Sequence, residues 1–248
     1  MILLIDIGNT HIHLGIGNAE RVIDTTDIAT HGPTIAELKE KLQGLCKLPP
    51  TAAVVCSVVP DRTSAVQIAL RQCFDLFATE LNHSTVKGVG VDYPHPETIG
   101  PDRLANAIAA KARLGTPTVV VDFGTAVTFD VVNRRGNYVG GIIAPGIAAM
   151  TDYLHEKTAL LPRIQIVEPE KVIGFSTEAA MLSGAVHGYR GLVRELLHKL
   201  KEELDVAELN VLATGGYADL IAKDLSEIQS VDPHITLDGL RRFHLCES

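Results

Sequence analysis

The sequence predicts an α/β protein made of two similar halves, and three observations lead to this fold class. The 248 residues, 46% hydrophobic and 21% charged, are enough for one large or two small globular domains. Runs with strand periodicity alternate with runs with helix periodicity along the whole chain. The segment Leu3-Leu-Ile-Asp6-Ile-Gly8-Asn-Thr10 has the same order of strand, acid, glycine and hydroxyl as Val119-Val-Val-Asp122-Phe-Gly124-Thr125, which indicates an internal duplication.

The first half is predicted to open with a β-meander and to continue with helices and one buried strand. Glycine-containing turns separate the three meander strands, at residues 2–7, 10–16 and 20–28. Apolar stripes and one continuous β-branched run predict the elements that follow: helices over 34–45, 63–77 and 104–114, and a strand over 52–58 that ends at Pro60. Pro94, Pro96 and nearby glycines predict an irregular loop over 89–99, and loops of this kind often carry function.

The second half is predicted to repeat this plan after a linker at Gly115-Thr116-Pro117. A second meander is expected at 118–121, 128–132 and 138–144. It is followed by helices near 146–153 and over 177–204, a strand over 209–213, and a helix that opens at Gly215-Gly216. The linker divides the chain into predicted domains of residues 1–114 and 115–248.

Composition and charge exclude several classes of function. With 22 Lys and Arg against 30 Asp and Glu, the net charge of −8 argues against a nucleic-acid partner. No apolar run reaches the roughly 18 residues that a membrane helix needs. Met1-Ile-Leu-Leu-Ile is followed at once by Asp6 and has no basic region, so we do not interpret it as a signal peptide. The four cysteines form no C-x-x-C pair, which indicates a reducing cytoplasm rather than a zinc site: Cys46, Cys56, Cys73 and Cys246.

The repeated Asp-x-Gly motif is suited to phosphate chemistry. Such a motif at the end of a strand presents a carboxylate, leaves the glycine backbone open to a phosphate, and adds an amide or hydroxyl donor. Its two copies, at Asp6 and Asp122, predict two loops that close on a polyphosphate from opposite sides, near the cations that accompany ATP. The alternative is an ordinary hairpin turn, since Asp, Gly and Asn favour turns, but the second copy favours the phosphate interpretation.

Gly100-Pro-Asp102-Arg103 opens a predicted helix directly after the irregular loop. Asp102 would lie in the first turn, where the helix dipole keeps a carboxylate ionised, as a general base requires. Arg103 could hold a substrate carboxylate through its forked donors. On spacing alone, a helix-start acid beside a solvated arginine is the more common arrangement.

Three further features allow two interpretations each. Gly140-Gly-Ile-Ile-Ala-Pro-Gly146 and Gly215-Gly216 bring bare backbone to a helix start, which suits either a nucleotide or close strand-to-helix packing. His11 and His13 share one face of a strand and would suggest a metal. Because no third ligand has a helpful spacing, a solvated hairpin face is favoured there.

Six motifs together resemble the type III pantothenate kinase family, in the superfamily of acetate and sugar kinases, actin and Hsp70. They are Asp6-Ile-Gly-Asn-Thr10, Ser57-Val-Val-Pro60, Gly100-Pro-Asp-Arg103, Asp122-Phe-Gly-Thr125, Gly140-Gly-Ile-Ile-Ala-Pro-Gly146 and Thr214-Gly-Gly216. The two Asp-x-Gly elements alone mark only the superfamily, and the Gly-x-Asp-Arg element between them makes the combination specific. The resemblance implies two duplicated actin-like (ribonuclease H-like) domains with a nucleotide cleft between them.

The resemblance also implies an activity: ATP-dependent phosphorylation of the primary hydroxyl of pantothenate to 4'-phosphopantothenate, the first step of coenzyme A biosynthesis. The enzyme would be a cytoplasmic homodimer that uses Mg²⁺ and K⁺ or NH₄⁺. By matching position, Asp102 is the general base, Asp122 holds the monovalent cation and Asp6 is a candidate Mg²⁺ ligand. ATP is bound by Asp6, Ile7, Gly8, Asn9, Thr10, His11, Ile12, His13 and Thr125, and pantothenate by Tyr93, Gly100, Pro101, Asp102, Arg103 and Thr177.

The sequence departs from the family pattern at two places. Pro101 stands where the family usually has alanine, which suits a helix start, and His95-Pro96 replaces the usual Asn-Pro beside Tyr93. Two alternative functions stay open: a kinase of the same superfamily for a sugar, acetate or polyphosphate, and a regulator without turnover, like the Bvg accessory factors. The presence of all three aspartates argues against an inactive cleft.

Overall fold

The computed structural model describes residues 1–246, which form two compact units, each organised around a β-sheet. Unit 1 contains residues 1–115, 134–139 and the C-terminal segment from His234, and unit 2 contains residues 116–133 and 140–233. The chain first passes from unit 1 to unit 2 between Gly115 and Thr116, beside the boundary that the sequence predicts. The assignment of functional domains stays a prediction.

The secondary structure follows the alternation seen in the sequence. The strands are β1 Ile2–Ile7, β2 His11–Gly17, β3 Val22–Ala29, β4 Ala52–Ser57, β5 Ala78–Glu80, β6 Gly90–Val91, β7 Thr118–Phe123, β8 Ala126–Val132, β9 Asn137–Pro145, β10 Asn210–Thr214 and β11 Ser230–Val231. The helices are α1 Ile35–Leu45, α2 Pro60–Phe74, α3 Pro101–Leu114, α4 Ile147–Lys157, α5 Thr177–Glu203, α6 Ala218–Ala222 and α7 Ile235–Leu245.

The sheet of unit 1 has the strand order β3-β2-β1-β4-β5. Strands β1, β2 and β3 form the predicted antiparallel meander, and β4 and β5 extend it in parallel. The central strand β1 is covered on both faces, so Leu3, Leu4 and Ile5 are all fully buried. Its side chains share one core cluster with Leu38 of α1 and Leu70 of α2. Helices α3 and α7 pack on each other, and α7 also contacts β1.

The second sheet has six strands in the order β6-β9-β8-β7-β10-β11, and its strands β9-β8-β7-β10-β11 repeat the plan of the first sheet. The sixth strand, β6, pairs with residues 137–138 at the start of β9. Strand β7 is antiparallel to β8 and parallel to β10, as β1 is to β2 and β4. Asp122 faces Thr128 and Thr214 across the sheet, where Asp6 faces His13 and Cys56 in unit 1. The common order and the matching position of the two aspartates confirm the duplicated fold.

A buried arginine organises the segment of unit 2 that leads into α5. Residues 158–176 contain no helix or strand. Arg190 of α5 donates from both terminal nitrogens to the Glu168 carboxylate, at 2.9 and 2.8 Å, and forms an ion pair with Asp224 at 2.9 Å. The hydroxyl of Ser176 then caps α5 by accepting the Ala179 N–H at 3.1 Å. These contacts fix the position at which Thr177 begins the helix.

The structure differs from the sequence expectations in a few elements. Helix α2 begins at Pro60 rather than at residue 63, because a proline is tolerated in the first helical turn. It ends at Phe74, where Asp75 takes a left-handed conformation, and Phe77 is therefore 67% exposed rather than buried. Helix α7 and the short strands β5 and β11 were not predicted. None of the helices within residues 1–246 is both long and apolar enough to cross a membrane.

Candidate active site

Two carboxyl groups, Asp6 on β1 and Asp102 in the first turn of α3, form the acidic part of the site in unit 1. Burial raises the pKa of Asp6 to about 6, and the nearby charge of Asp102 adds to the shift. Burial also raises the pKa of Asp102, whereas the sequence led us to expect that the helix start would favour the ionised form. The backbone N–H of Arg103, which donates to Asp102 Oδ1 at 2.9 Å, and the Arg103 charge oppose the shift. The two carboxylates therefore lie close enough to repel each other, and their ionisation favours a bound cation or a transferred proton.

The neighbouring strands supply two side chains beside Asp6. Cys56, opposite Asp6 on β4, is buried, and its thiol donates to Asp6 Oδ1 at 3.3 Å. Burial and the two nearby carboxylates hold the pKa of Cys56 well above its usual range, so the thiol stays a donor. His13, opposite Asp6 on β2, lowers the pKa of Asp6, and its Nδ1 lies 2.7 Å from Asp27 Oδ1 on β3.

The predicted phosphate loop, Gly8-Asn9-Thr10, joins β1 to β2 at the exposed edge of this site. The Gly8 N–H donates to the His11 carbonyl at 3.0 Å, and a Cβ at Gly8 would lie 3.2 Å from the same oxygen. Asn9, Thr10 and His11 are exposed. The loop therefore presents backbone and polar side chains to solvent next to a carboxylate, as phosphate binding requires.

The imidazoles of His11 and His13 lie side by side on the exposed face of β2. Their ring centroids are 6.1 Å apart, both residues are exposed, and His13 binds Asp27. Within residues 1–246, no group of three or more His, Cys, Asp or Glu side chains is arranged to hold a metal ion. A Mg²⁺ ion is commonly held by one or two carboxylates together with substrate phosphates and water, and the Asp6 and Asp102 pair fits that pattern.

The segment Gly100–Arg103 packs closely around the half-buried Asp102. Gly100 precedes the helix, and a Cβ there would lie 2.5 Å from Asp102 Oδ1, so any other residue would displace the carboxylate. Pro101 is the first residue of α3, which agrees with the tolerance of proline at that position. The His95 side chain is 74% exposed and lies 3.5 Å from Glu97, on the outside of the loop.

Tyr138 of β9 lies in the 134–139 segment of unit 1, and its ring contacts two of the predicted substrate residues, Arg103 and Tyr93. The Arg103 guanidinium lies 5.8 Å from the centroid of the Tyr138 ring, and the Tyr93 ring packs edge-on against it at 6.2 Å. Tyr138 is buried whereas Tyr93 is 36% exposed. The structure thus brings together Tyr93, Gly100, Pro101, Asp102 and Arg103. Tyr138 was not predicted as a site residue, and the signal that the sequence offers is an aromatic residue two positions after Gly136.

The second group of predicted residues surrounds Asp122 in unit 2. Gly215 has φ +92°, and a Cβ there would lie 2.5 Å from Asp122 Oδ1. A Cβ at Gly146 would collide with the Thr125 carbonyl. Both glycine-rich segments therefore pack directly against the Asp122–Thr125 turn, so the packing interpretation holds for these two glycines. Thr125 is exposed at the tip of the turn.

Thr177 lies elsewhere in unit 2, at the first position of α5. It lines an apolar cavity of about 960 Å³ between α4 and α5, together with Met150, Tyr153, Leu154 and Met181. The predicted residues thus fall into three groups: one around Asp6 and Asp102, one around Asp122, and Thr177 beside the apolar cavity.

The fold places the protein in a known class. A conserved Baf family protein from Campylobacter jejuni has a TM-score of 0.62 at 19% identity, with 97% of this chain and 96% of that chain covered. The (R)-2-hydroxyglutaryl-CoA dehydratase component A from Acidaminococcus fermentans has a TM-score of 0.52 at 13% identity and covers nearly all of both chains. At such identities the similarity concerns the fold alone, which is the duplicated actin-like α/β fold.

Sequence similarity identifies the family within that class. A family model described as type III pantothenate kinase matches residues 2–199. Proteins named type III pantothenate kinase from Akkermansia muciniphila and Methylacidiphilum infernorum are 50% and 41% identical to this chain. The alignments cover 96% of this chain in both cases, and 96% and 86% of the respective relatives. A third, from Geobacter sulfurreducens, is 38% identical over 97% of both chains. The chain belongs to the type III pantothenate kinase family.

Proposed function

We infer that this protein transfers the γ-phosphate of ATP to the primary hydroxyl of pantothenate, the first step of coenzyme A biosynthesis. Membership of the family over nearly the whole chain is the observation that carries this function. The protein is accordingly a transferase with an alcohol group as acceptor. A regulator without turnover and a kinase for another acceptor are not favoured, because the three relatives described above, at 38–50% identity, are named type III pantothenate kinase.

Asp102 is proposed as the general base that accepts the proton of the pantothenate hydroxyl. Its burial raises the pKa of the carboxyl group toward neutrality, and its contact with the Arg103 N–H keeps the carboxylate in one orientation. A base whose pKa lies nearer the working pH transfers protons more efficiently. Phosphoryl transfer otherwise depends on alignment and charge stabilisation, so the proton acceptor has to be placed accurately.

Pantothenate binding is proposed for Tyr93, Gly100, Pro101, Arg103 and Thr177. Arg103 would donate to the pantothenate carboxylate through its fork, because a guanidinium matches a carboxylate in geometry. The Tyr138 ring beside Arg103 supports this assignment, since it restricts the orientation of the guanidinium.

The residues Asp6 to His13 and Thr125 are proposed to bind ATP. The exposed Gly8-Asn9-Thr10 loop would contact the phosphates, and Asp6 would hold Mg²⁺ with help from them. Mg²⁺, when bound, would offset the negative charge of the phosphates. The raised pKa of Asp6 supports the assignment, because a cation would relieve the repulsion between the two carboxylates.

Asp122 is proposed to bind K⁺ or NH₄⁺ in unit 2. The carboxylate is half-buried at the end of β7, against the backbone of Gly215. Carboxylate and carbonyl oxygens suit a large monovalent cation. Activation by K⁺ but not by Na⁺ would support the assignment.

A homodimer is proposed from the exposed apolar surface of unit 2. Met150, Tyr153 and Leu154 of α4 are 40–61% exposed beside the apolar cavity, and Ile173 and Phe175 are 73% and 84% exposed in the segment before α5. Exposed apolar side chains of this size favour an interface, and a second copy of the chain is the proposed occupant. Tyr153→Glu should shift the mass measured by light scattering from dimer to monomer.

The cytoplasm is the proposed location, in keeping with four free cysteines.

The test of the function is a coupled assay of ADP formation with ATP, Mg²⁺, K⁺ and pantothenate. The expected result is turnover that depends on pantothenate. Glucose, acetate and polyphosphate serve as the acceptor controls. Turnover with one of these acceptors and none with pantothenate would contradict the assignment, and so would nucleotide binding without turnover with any acceptor.

A further inference from the structure

Thr30, the residue directly after β3, is fully buried although threonine is mostly an exposed residue type. Its Oγ1 donates to the Gly8 carbonyl at 2.6 Å. Its backbone N–H donates to the Thr10 carbonyl at 2.9 Å. One residue therefore holds both carbonyl groups that flank Asn9 in the phosphate loop.

These two bonds fix the direction of the N–H groups in the loop. In a trans peptide the C=O and N–H groups point in opposite directions. The only cis bond within residues 1–246 is Thr116-Pro117, so the loop peptides are trans. With the carbonyls of Gly8 and Thr10 turned toward Thr30, the N–H groups of Asn9 and His11 point away from it. Backbone N–H groups that face the same side of a loop are the donors that an anion-binding concavity uses.

Thr30 is itself anchored by helix α2. Arg62, in the first turn of α2, donates from Nε to the Thr30 carbonyl and from Nη2 to the Pro33 carbonyl at 2.9 Å. Arg62 is half-buried and holds the segment after β3 at two points. The loop, Thr30 and Arg62 form one continuous chain of hydrogen bonds within unit 1.

We propose that Thr30 is a positioning residue for the phosphates of ATP, with Arg62 as its anchor. Neither residue needs to contact the nucleotide. The Thr30 hydroxyl holds the loop from behind in the conformation that accepts the phosphates. This inference deepens the proposed function, since it rests on the assignment of Gly8-Asn9-Thr10 as the phosphate loop.

The test compares Thr30→Val, which removes the hydroxyl, with Thr30→Ser, which keeps it. Thr30→Val leaves the Gly8 carbonyl without its donor, and the loop should relax toward other conformations. The KM for ATP should rise about tenfold, the equivalent of one lost hydrogen bond, whereas the KM for pantothenate should stay within about twofold. Thr30→Ser should restore the KM for ATP to within about twofold of the wild type.

Thr51→Val is the matched control. The Thr51 hydroxyl also donates to a backbone carbonyl, that of Met1 at 3.1 Å, but at the opposite end of β1 from the loop. Its loss should leave both KM values unchanged. An equal rise of the two KM values in Thr30→Val, or failure of Thr30→Ser to restore ATP affinity, would show that Thr30 serves only folding.

Calorimetric titration with Mg·ADP separates this inference from the proposed function. If the protein does not phosphorylate pantothenate but binds Mg·ADP, the same tenfold weakening in Thr30→Val still supports the positioning role. Unchanged Mg·ADP affinity would overturn it, as would a wild type that binds no nucleotide. Should Thr30→Val not fold, Arg62→Lys replaces it, because a lysine cannot make both carbonyl contacts. A rise of about threefold in the Kd for Mg·ADP is then expected, and no change would overturn the proposal.

Discussion

Asp6→Asn should stabilise the protein while it abolishes activity, because the ionised Asp6 carboxylate is unfavourable in the free enzyme. The pKa of Asp6 is raised to about 6 by burial and by Asp102. When the pKa of a carboxyl group is higher in the folded state than in the unfolded state, the free energy of unfolding falls as the pH rises from the unfolded-state pKa to the folded-state pKa. At pH 7.5 the shift lowers the free energy of unfolding by at most about 3 kcal/mol. An uncharged asparagine at this position would not cause that loss.

The size of the stabilisation should depend on pH in a defined way. At pH 4.5 the carboxyl group is mostly protonated in the folded state, so the advantage of Asp6→Asn should fall to about one third of its value at pH 7.5. At pH 7.5 the unfolding midpoint should rise by about 6 to 10 °C. The assay is thermal unfolding at the two pH values in EDTA, which removes divalent cations, together with the rate of ADP formation in Mg²⁺.

Asp24→Asn is the control for this prediction. Asp24 is an exposed carboxylate on β3 of the same sheet, and its replacement should change stability by no more than about 0.5 kcal/mol at either pH. The activity of Asp6→Asn should fall at least about 10²-fold, as expected when a preorganised charge at the phosphates is lost. A stabilisation of the same size at both pH values, or none at all, would refute the electrostatic reasoning.

Three further predictions concern the reaction itself. Asp102→Asn should keep the unfolding midpoint within a few degrees but lower kcat by about 10² to 10⁴-fold, and near wild-type turnover in a folded variant would remove Asp102 from proton transfer. Arg103→Lys should raise the KM for pantothenate more than that for ATP, because an ammonium cannot form the bidentate contact. Pantothenol, which lacks the carboxylate, should show little of this difference, and equal losses for both substrates would assign Arg103 another role. Asp122→Asn should weaken the saturable K⁺ activation measured at constant ionic strength, which Asp102→Asn should leave intact. An unchanged K⁺ midpoint in the Asp122 variant would contradict the cation site.

Most of the fold could be predicted because its strong elements have local signals. The β1 and β7 runs are apolar and continuous, the meander turns contain glycine, and the order of acid, glycine and hydroxyl repeats. Helix α7 escaped prediction because its conformation depends on packing against α3. Gly239 inside α7 lowers its intrinsic helix propensity, yet a side chain at that position would collide with the Ala105 backbone of α3. Tertiary contact thus selects the residue that local propensity disfavours.

The acidic and glycine residues of the site could also be predicted, but the side chains that position them could not. Asp6, Asp102 and Arg103 lie in recognisable motifs. Cys56 lies beside Asp6 only because β4 pairs with β1. Thr30 contacts Gly8 only because β3 ends next to the loop. No spacing rule links residue 30 to residue 8, since the contact depends on how three strands align. Short-range patterns therefore predict candidate residues for the site, whereas the contacts that position these residues depend on the fold.

Burial of Asp6 has two opposing effects: it lowers the stability of the free protein, and it strengthens the attraction of the carboxylate for a cation. Asp6 is half-buried on the central strand β1, and the partial desolvation of its carboxylate raises its pKa and reduces stability. The same low polarity strengthens any attraction between the carboxylate and a cation, since charge interactions grow as the effective dielectric falls. The Cys56 thiol and His13 moderate the loss without cancelling it, because both lower the pKa of Asp6 while burial keeps it raised. A cation bound at Asp6, as proposed, would recover the free energy that the fold loses there, so we expect nucleotide binding and stability to be coupled at this residue.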